Sequence, residues 1–111
     1  MKVTQSLKKN KDFQHTYKNG KSFANKYLVM IVLENERNEN RLGISVSKRV
    51  GNSVVRHRVT RLIRESYRLS EHFFKVGLDI VVVARVNSKD AGYKEIESAL
   101  MHLGKLHGIT D

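Results

Sequence analysis

The sequence predicts an α+β fold, a single-domain α/β sandwich with its elements in the order αβββαβα. Three observations predict it. Residues 41–48 alternate large apolar groups with small or polar ones, the period-2 pattern of a strand. From Ser53 the pattern changes to a helical period with one apolar and one arginine-rich side. Residues 78–85, LDIVVVAR, form a β-branched run of the kind found in interior strands covered on both faces. The chain's 111 residues leave room for one domain with a modest core, and 40% hydrophobic residues is ordinary for a globular protein.

The first helix is expected over Asn10 to Gly20, NKDFQHTYKNG. Asn10 is placed to cap it, Asp12 lies in its positive first turn, and Asn19-Gly20 supplies a left-handed stop. Phe13 and Tyr17 stand four apart and share one face. They read either as a core stripe or as an aromatic surface. Lys21 to Ala24 is expected as a short strand and Lys26 to Glu34 as a longer one. In the longer one, Leu28, Met30 and Val32 face one way and Tyr27, Val29, Ile31 and Leu33 the other. The polar segment Asn35 to Asn40 then reads as a hairpin loop.

In the strand from Arg41 to Lys48, Leu42, Ile44 and Val46 fill a core face. Gly43, Ser45 and Ser47 leave the opposite face shallow, either as a trough or as plain solvent-facing sheet. Asn52 is the expected N-cap of the arginine helix, which runs to about Leu69 or Ser70 with a possible extension through Phe74. Lys75-Val76-Gly77 breaks it. A polar loop follows the interior strand, and Tyr93 to His107 closes the chain with Ile96, Ala99, Leu100, Leu103 and Leu106 at helical spacing.

Charge directs attention to residues 41–68, where eight Lys or Arg face one acid, Glu65, and so carry seven of the chain's formal +10. On the arginine helix, Val55, Val59, Leu62, Ile63, Ser66 and Leu69 gather on one side. Arg56, His57, Thr60, Arg61, Arg64, Tyr67 and Arg68 gather on the other. A solvated helix face normally mixes Lys with Glu. Here the helix cations are all Arg, whose planar fork matches phosphate, which points to RNA or DNA. A DNA reader would carry a second helix and tight turn just before this one, where the sequence places a strand.

The absence of Cys excludes disulfides and thiolate metal sites and fits a reducing cytosol. The charged N-terminus lacks the apolar core of a signal peptide, and the longest apolar run, Ile80 to Ala84, is too short to span a bilayer. His102 and His107 stand five apart and splay, so no metal site is expected. No pair of acids has catalytic spacing, and His57 lacks a partner for base catalysis. No catalytic set is expected in this chain.

The segment Ser45-Val46-Ser47-Lys48-Arg49-Val50-Gly51-Asn52-Ser53-Val54-Val55-Arg56-His57-Arg58, continuing through Arg61-Leu62-Ile63-Arg64-Glu65, strongly resembles the signature of the bacterial ribonuclease P protein subunit. Lys8 to Phe13 resembles that family's first helix, Gly20 to Asn25 its first strand and turn, and Asp79 to Arg85 its last strand. The resemblance implies a ribosomal protein S5 domain 2-like fold with a left-handed βαβ crossover. It implies a cytoplasmic ribonucleoprotein with one protein per catalytic RNA. The RNA, with Mg²⁺, hydrolyses the bond joining the 5′ leader to precursor tRNA, and the protein alone binds no cofactor. The implied RNA-binding residues are Lys48, Arg49, Arg56, His57, Arg58, Arg61, Arg64 and Arg68. The implied leader cleft is formed by Phe13, Tyr17, Val29, Ile31, Ser45, Ser47 and Arg85. The family's Arg-Asn-Arg motif stands here as Arg56-His57-Arg58, Thr60 occupies a position where a Lys is common, and Ile31 replaces an aromatic residue of some relatives. A structural RNA-binding protein of the ribosome is the alternative reading.

Overall fold

Residues 4–110 are described by a computed structural model. The elements are β1 (Thr4–Ser6), α1 (Asn10–Asn19), β2 (Lys21–Ala24), β3 (Leu28–Glu34), β4 (Asn40–Ser45), α2 (Ser53–Ser70), β5 (Leu78–Ala84) and α3 (Tyr93–Leu106). Short 3-10 turns at Glu71–Phe73 and Val86–Asp90 flank β5. The expected order holds apart from β1, which is three residues long and too short to show a period. Its pairing is with β4, and the amide of Leu7 extends it by donating to the Leu42 carbonyl at 2.8 Å.

The sheet order is β1-β4-β5-β3-β2. Strands β1, β4 and β5 run parallel, and β3 runs antiparallel to both β5 and β2. The segment between β3 and β4 is therefore not a hairpin loop, because β5 lies between those two strands. The physical reason is burial: β5 is apolar on both faces and six of its seven residues are buried, and the centre of the sheet is where both its faces and both its edges are covered. Helix α2 joins the parallel neighbours β4 and β5 in a βαβ unit.

The two sheet faces serve different ends. Leu28, Met30, Ile80, Val82, Leu42 and Ile44 pack with Val59, Ile63, Tyr67, Ile96, Leu100 and Leu103 in the main core under α2 and α3. Each fully buried aliphatic group there contributes roughly 1.5–3 kcal/mol. The opposite face holds a smaller cluster of Leu7, Ile31 and Val81, with Phe13, Val29 and Val83 packed on it. Helix α1 lies on this second face, against β3 and β5.

Several local expectations change. Asn10 is the first residue of α1 and Lys9 its cap, with no side-chain cap bond. Gly20 is extended (φ −82°), so it does not end α1 by a left-handed turn. It is needed for closeness instead: a Cβ there would lie 2.6 Å from the Thr16 carbonyl and 2.7 Å from Ile31 Cγ2. Tyr27 precedes β3 and packs toward the main core, because Asn25 Oδ1 accepts from the amides of Tyr27 and Leu28 and bends the chain there. Strand β4 ends at Ser45, and residues 48–50 form a turn.

On α2 the buried stripe is Val59, Ile63, Ser66, Tyr67 and Ser70, while Leu69 is 49% exposed. Tyr67 thus leaves the arginine side and Leu69 leaves the core. The wheel rotates because the Tyr67 hydroxyl finds polar partners inside. It pairs with Thr4 Oγ1 at 3.0 Å and accepts from Asn40 Nδ2 at 3.4 Å, and its ring packs on Phe74. A buried phenol so satisfied is cheaper to bury than one left unpaired.

Candidate nucleic-acid interface

The sequence of α2 fixes how its cations are presented. Asn52 caps it, Oδ1 accepting from the Val55 amide at 3.0 Å, so the helix begins cleanly one residue later. His57, Arg58, Arg61, Arg64 and Arg68 are exposed along it, and Lys48 and Arg49 are exposed in the turn before it. These side chains are not equivalent. Arg61 and Arg64 are in no ion pair among the described residues. Arg68 is bound to Glu65, with Nη2 to Oε1 at 2.5 Å, and this contact draws the Glu65 carboxyl below its usual range. Arg58 donates to the carbonyls of Ala91 (3.0 Å) and Lys89, tying α2 to the loop that leads into α3. Arg56 is half-buried. Its Nε is shut from solvent without a partner among the described residues, while its carbonyl accepts from Thr60 Oγ1 at 2.8 Å.

The second surface lies across the sheet, beside α1. Sheet register sorts its side chains into rows. Arg41 and Asp79 form the first row, Gly43, Val81 and Ile31 the second, Ser45, Val83 and Val29 the third. Arg41 binds Asp79 through both carboxylate oxygens, Nε to Oδ1 at 2.8 Å and Nη2 to Oδ2 at 2.6 Å, and reaches Asp12 of α1 at 3.4 Å. That closes the first row. Phe13 covers the second, and Ile31 beneath it is only 6% exposed, so Ile31 supports the floor and offers little surface itself. The third row stays half-buried and open. Tyr17, one turn after Phe13 on α1, is 40% exposed, its ring centroid 6.2 Å from that of Phe13.

Past the third row the face ends in a depression of about 380 Å³ lined by Ser47, Arg49, Arg85 and Asn87 among others. Arg85 is anchored there by donating to the Asn25 carbonyl at 2.6 Å. An aromatic wall, a shallow hydroxyl-bearing floor and a cationic end suit a single strand of nucleotides, with rings for bases and guanidinium for phosphate.

Two features escaped the sequence. Asn87 lines the cationic depression but sits in a polar loop like any other. Tyr93, at the start of α3, lines a groove on α2 with Arg58, Arg61, Leu62, Arg64 and Glu65. Only the packing of α3 on α2 brings it there, and no local pattern announces it. Among the described residues no cluster of His, Asp or Glu is placed to hold a metal. His102 meets Asn25 at 3.2 Å, whereas His107 Nε2 lies 2.9 Å from the Met30 carbonyl.

The family model for ribonuclease P matches residues 1–107. A ribonuclease P protein component of Lachnoclostridium phytofermentans is 66% identical over 107 residues, 96% of this chain and 92% of that protein. One from Clostridioides difficile is 53% identical over 108 residues, 96% and 95% of the two chains. The solved RNase P protein of Staphylococcus aureus is similar with a TM-score of 0.88 at 39% identity, covering 96% of this chain and 97% of that one. The RNase P protein from Thermotoga maritima gives a TM-score of 0.82 at 29% identity, covering 89% and 94%.

Proposed function

This chain belongs to the ribonuclease P protein family, and from that premise we propose how its two surfaces divide the work. The chain serves as the protein subunit of an endoribonuclease that removes the 5′ leader of precursor tRNA by phosphodiester hydrolysis, in partnership with a catalytic RNA. Its own part is to bind. The exposed arginine face of α2, with Lys48 and Arg49 before it, holds the catalytic RNA. The open row beside α1 holds the leader: Phe13 and Tyr17 form its aromatic wall, Val29, Ser45 and Val83 its floor, and the Ser47 hydroxyl and the Arg85 cation its polar end. The hydrolysis belongs to the RNA and its Mg²⁺, in the cytoplasm, with one protein per RNA.

One observation carries this reading. Helices α1 and α2 lie on opposite faces of a single five-stranded sheet. A rigid sheet can therefore engage two RNA segments at once and fix the distance between them, which is how binding energy becomes positioning. A ribosomal RNA-binding role would need only the α2 face and leaves the α1 cleft unused.

The test is to add the protein to a cognate catalytic RNA at low Mg²⁺ and follow cleavage of precursor tRNA. Rescue of cleavage by the protein, with none from the protein alone, is the expected result. Cleavage by RNA-free protein, or no rescue at all, overturns the reading.

A further inference from the structure

Packing α3 onto α2 creates a groove of about 380 Å³ lined by Arg58, Arg61, Leu62, Arg64 and Glu65 on one side and Tyr93 on the other. Leu62 and Tyr93 are half-buried, so an aliphatic group and an aromatic ring form a wall that remains reachable. Arg61 and Arg64 stand exposed at its rim. The groove's one acid is already engaged, because Arg68 donates to both oxygens of Glu65, from Nε at 3.1 Å and from Nη2 at 2.5 Å. An anion entering the groove therefore meets forks that are not neutralised by the acid beside them.

Tyr93 is also held in place. Its hydroxyl donates to Glu97 Oε2 at 3.0 Å, and Arg58 grips the Ala91 carbonyl two residues before it. A ring tethered at its hydroxyl, on a backbone clamped two residues before it, loses little freedom when something stacks on it. A flat π-face, an aliphatic wall and two guanidinium forks in no ion pair among the described residues together match one nucleotide: the base takes the ring and the phosphate takes the forks. An acidic peptide would answer the charge but has no use for a flat aromatic platform.

We infer that this groove receives one unpaired nucleotide of the catalytic RNA, with its base stacked on Tyr93 and its phosphate held by Arg61 and Arg64. The inference rests on the RNA-binding role proposed above and adds Tyr93 as a base-contacting residue of that interface.

The experiment titrates the catalytic RNA subunit with wild-type protein and with Tyr93→Ala, Tyr93→Phe and Tyr93→Trp at fixed salt, repeating the first two over a salt series. Tyr93→Ala is expected to weaken binding about 5- to 100-fold, and Tyr93→Phe to stay within about twofold. The salt slope should not move, because stacking releases no counterions. The chain has no Trp, so Tyr93→Trp gives a single reporter whose emission should be quenched as RNA saturates the protein. Wild-type affinity in Tyr93→Ala, or unaltered emission at saturation, overturns the inference. Should Tyr93→Ala melt below the assay temperature, the emission experiment decides alone. Rescue of precursor cleavage by the wild-type protein is a separate readout, so failure of the groove and failure of the RNA-partner role are distinguishable.

Discussion

The Phe13 ring lies directly on Gly43: a Cβ built on that glycine would sit 2.6 Å from Phe13 Cζ and 2.8 Å from Cε1. Helix α1 rests on the sheet through this contact, so the closed and open rows of the second face are set by one missing side chain. Gly43→Ala must push the ring outward or distort the strand, an overpacking that costs about 1–3 kcal/mol. Denaturant unfolding should record that loss, and leader-dependent binding should fall with it. An unchanged midpoint would mean that α1 moves freely on the sheet.

Phe13 and Tyr17 separate the two roles that their spacing left open. Phe13 packs with Leu7, Ile31 and Val81, so Phe13→Ala should cost about 2–3 kcal/mol of stability, below the ~3–5 of a fully buried Phe. Tyr17 is 40% exposed, and Tyr17→Ala should change stability by less than about 0.5 kcal/mol. It should still weaken binding of leader-bearing precursor tRNA by about 1–3 kcal/mol while sparing mature tRNA. Equal weakening toward both RNAs would remove Tyr17 from a leader site.

The arginine face makes a prediction in salt. Arg61 and Arg64 are exposed and in no ion pair among the described residues. Replacing both by Ala should flatten the slope of log K against log salt by roughly one unit, because the two forks hold the same phosphate. Titration of the catalytic RNA over a salt series measures it. A slope equal to wild type would take this face out of the interface.

Much of this was legible in the chain. The period change at Ser53, the cap at Asn52 and the β-branched run at 78–84 are local signals, and the structure keeps them. The arginine face was legible because composition alone singled it out. What local pattern did not carry was partnership across the chain. Tyr67 looked like a surface residue until Thr4 and Asn40, far away in sequence, supplied partners for its hydroxyl. Gly20 looked like a turn residue, yet its smallness serves the approach of Thr16 and Ile31. The insertion of β5 between β3 and β4 was likewise hidden, because adjacency in a sheet is decided by which strand most needs the centre.

Arg58 belongs to the same lesson, for it looked like one more RNA-facing cation and also clamps the Ala91 and Lys89 carbonyls. Arg58→Ala should lower stability by about 1–2 kcal/mol. Arg58→Lys should not restore it, since an ammonium lacks the planar fork that spans two acceptors. Thermal melts of the two variants beside Arg61→Ala, which should melt like wild type, test this. Full rescue by Lys would reduce Arg58 to a simple charge.

The Arg41–Asp79 pair predicts how stability depends on pH. Asp79 is only 2% exposed, and burial by itself would raise its pKa. The hydrogen-bonded Arg41 fork, the Asn35 amide and the neighbouring cations outweigh burial and hold the carboxyl below its ordinary value. A carboxyl with a depressed folded pKa binds fewer protons folded than unfolded. Its contribution is therefore fully present above the unfolded pKa and is lost as pH falls through the folded one. Stability should have no Asp79-dependent slope above about pH 5 and should decline below about pH 4. Asp79→Asn should remove that part of the decline and, by leaving Arg41 paired, among the described residues, with Asp12 alone at 3.4 Å, cost about 2–3 kcal/mol at neutral pH. Because Arg41 also ties α1 to the sheet through Asp12, the same variant should loosen the proposed leader cleft and weaken leader-bearing precursor more than mature tRNA. Melting curves from about pH 3 to about pH 8 on both proteins check the first part, and paired tRNA titrations check the second. An acid decline of equal depth in Asp79→Asn would assign it to other carboxylates.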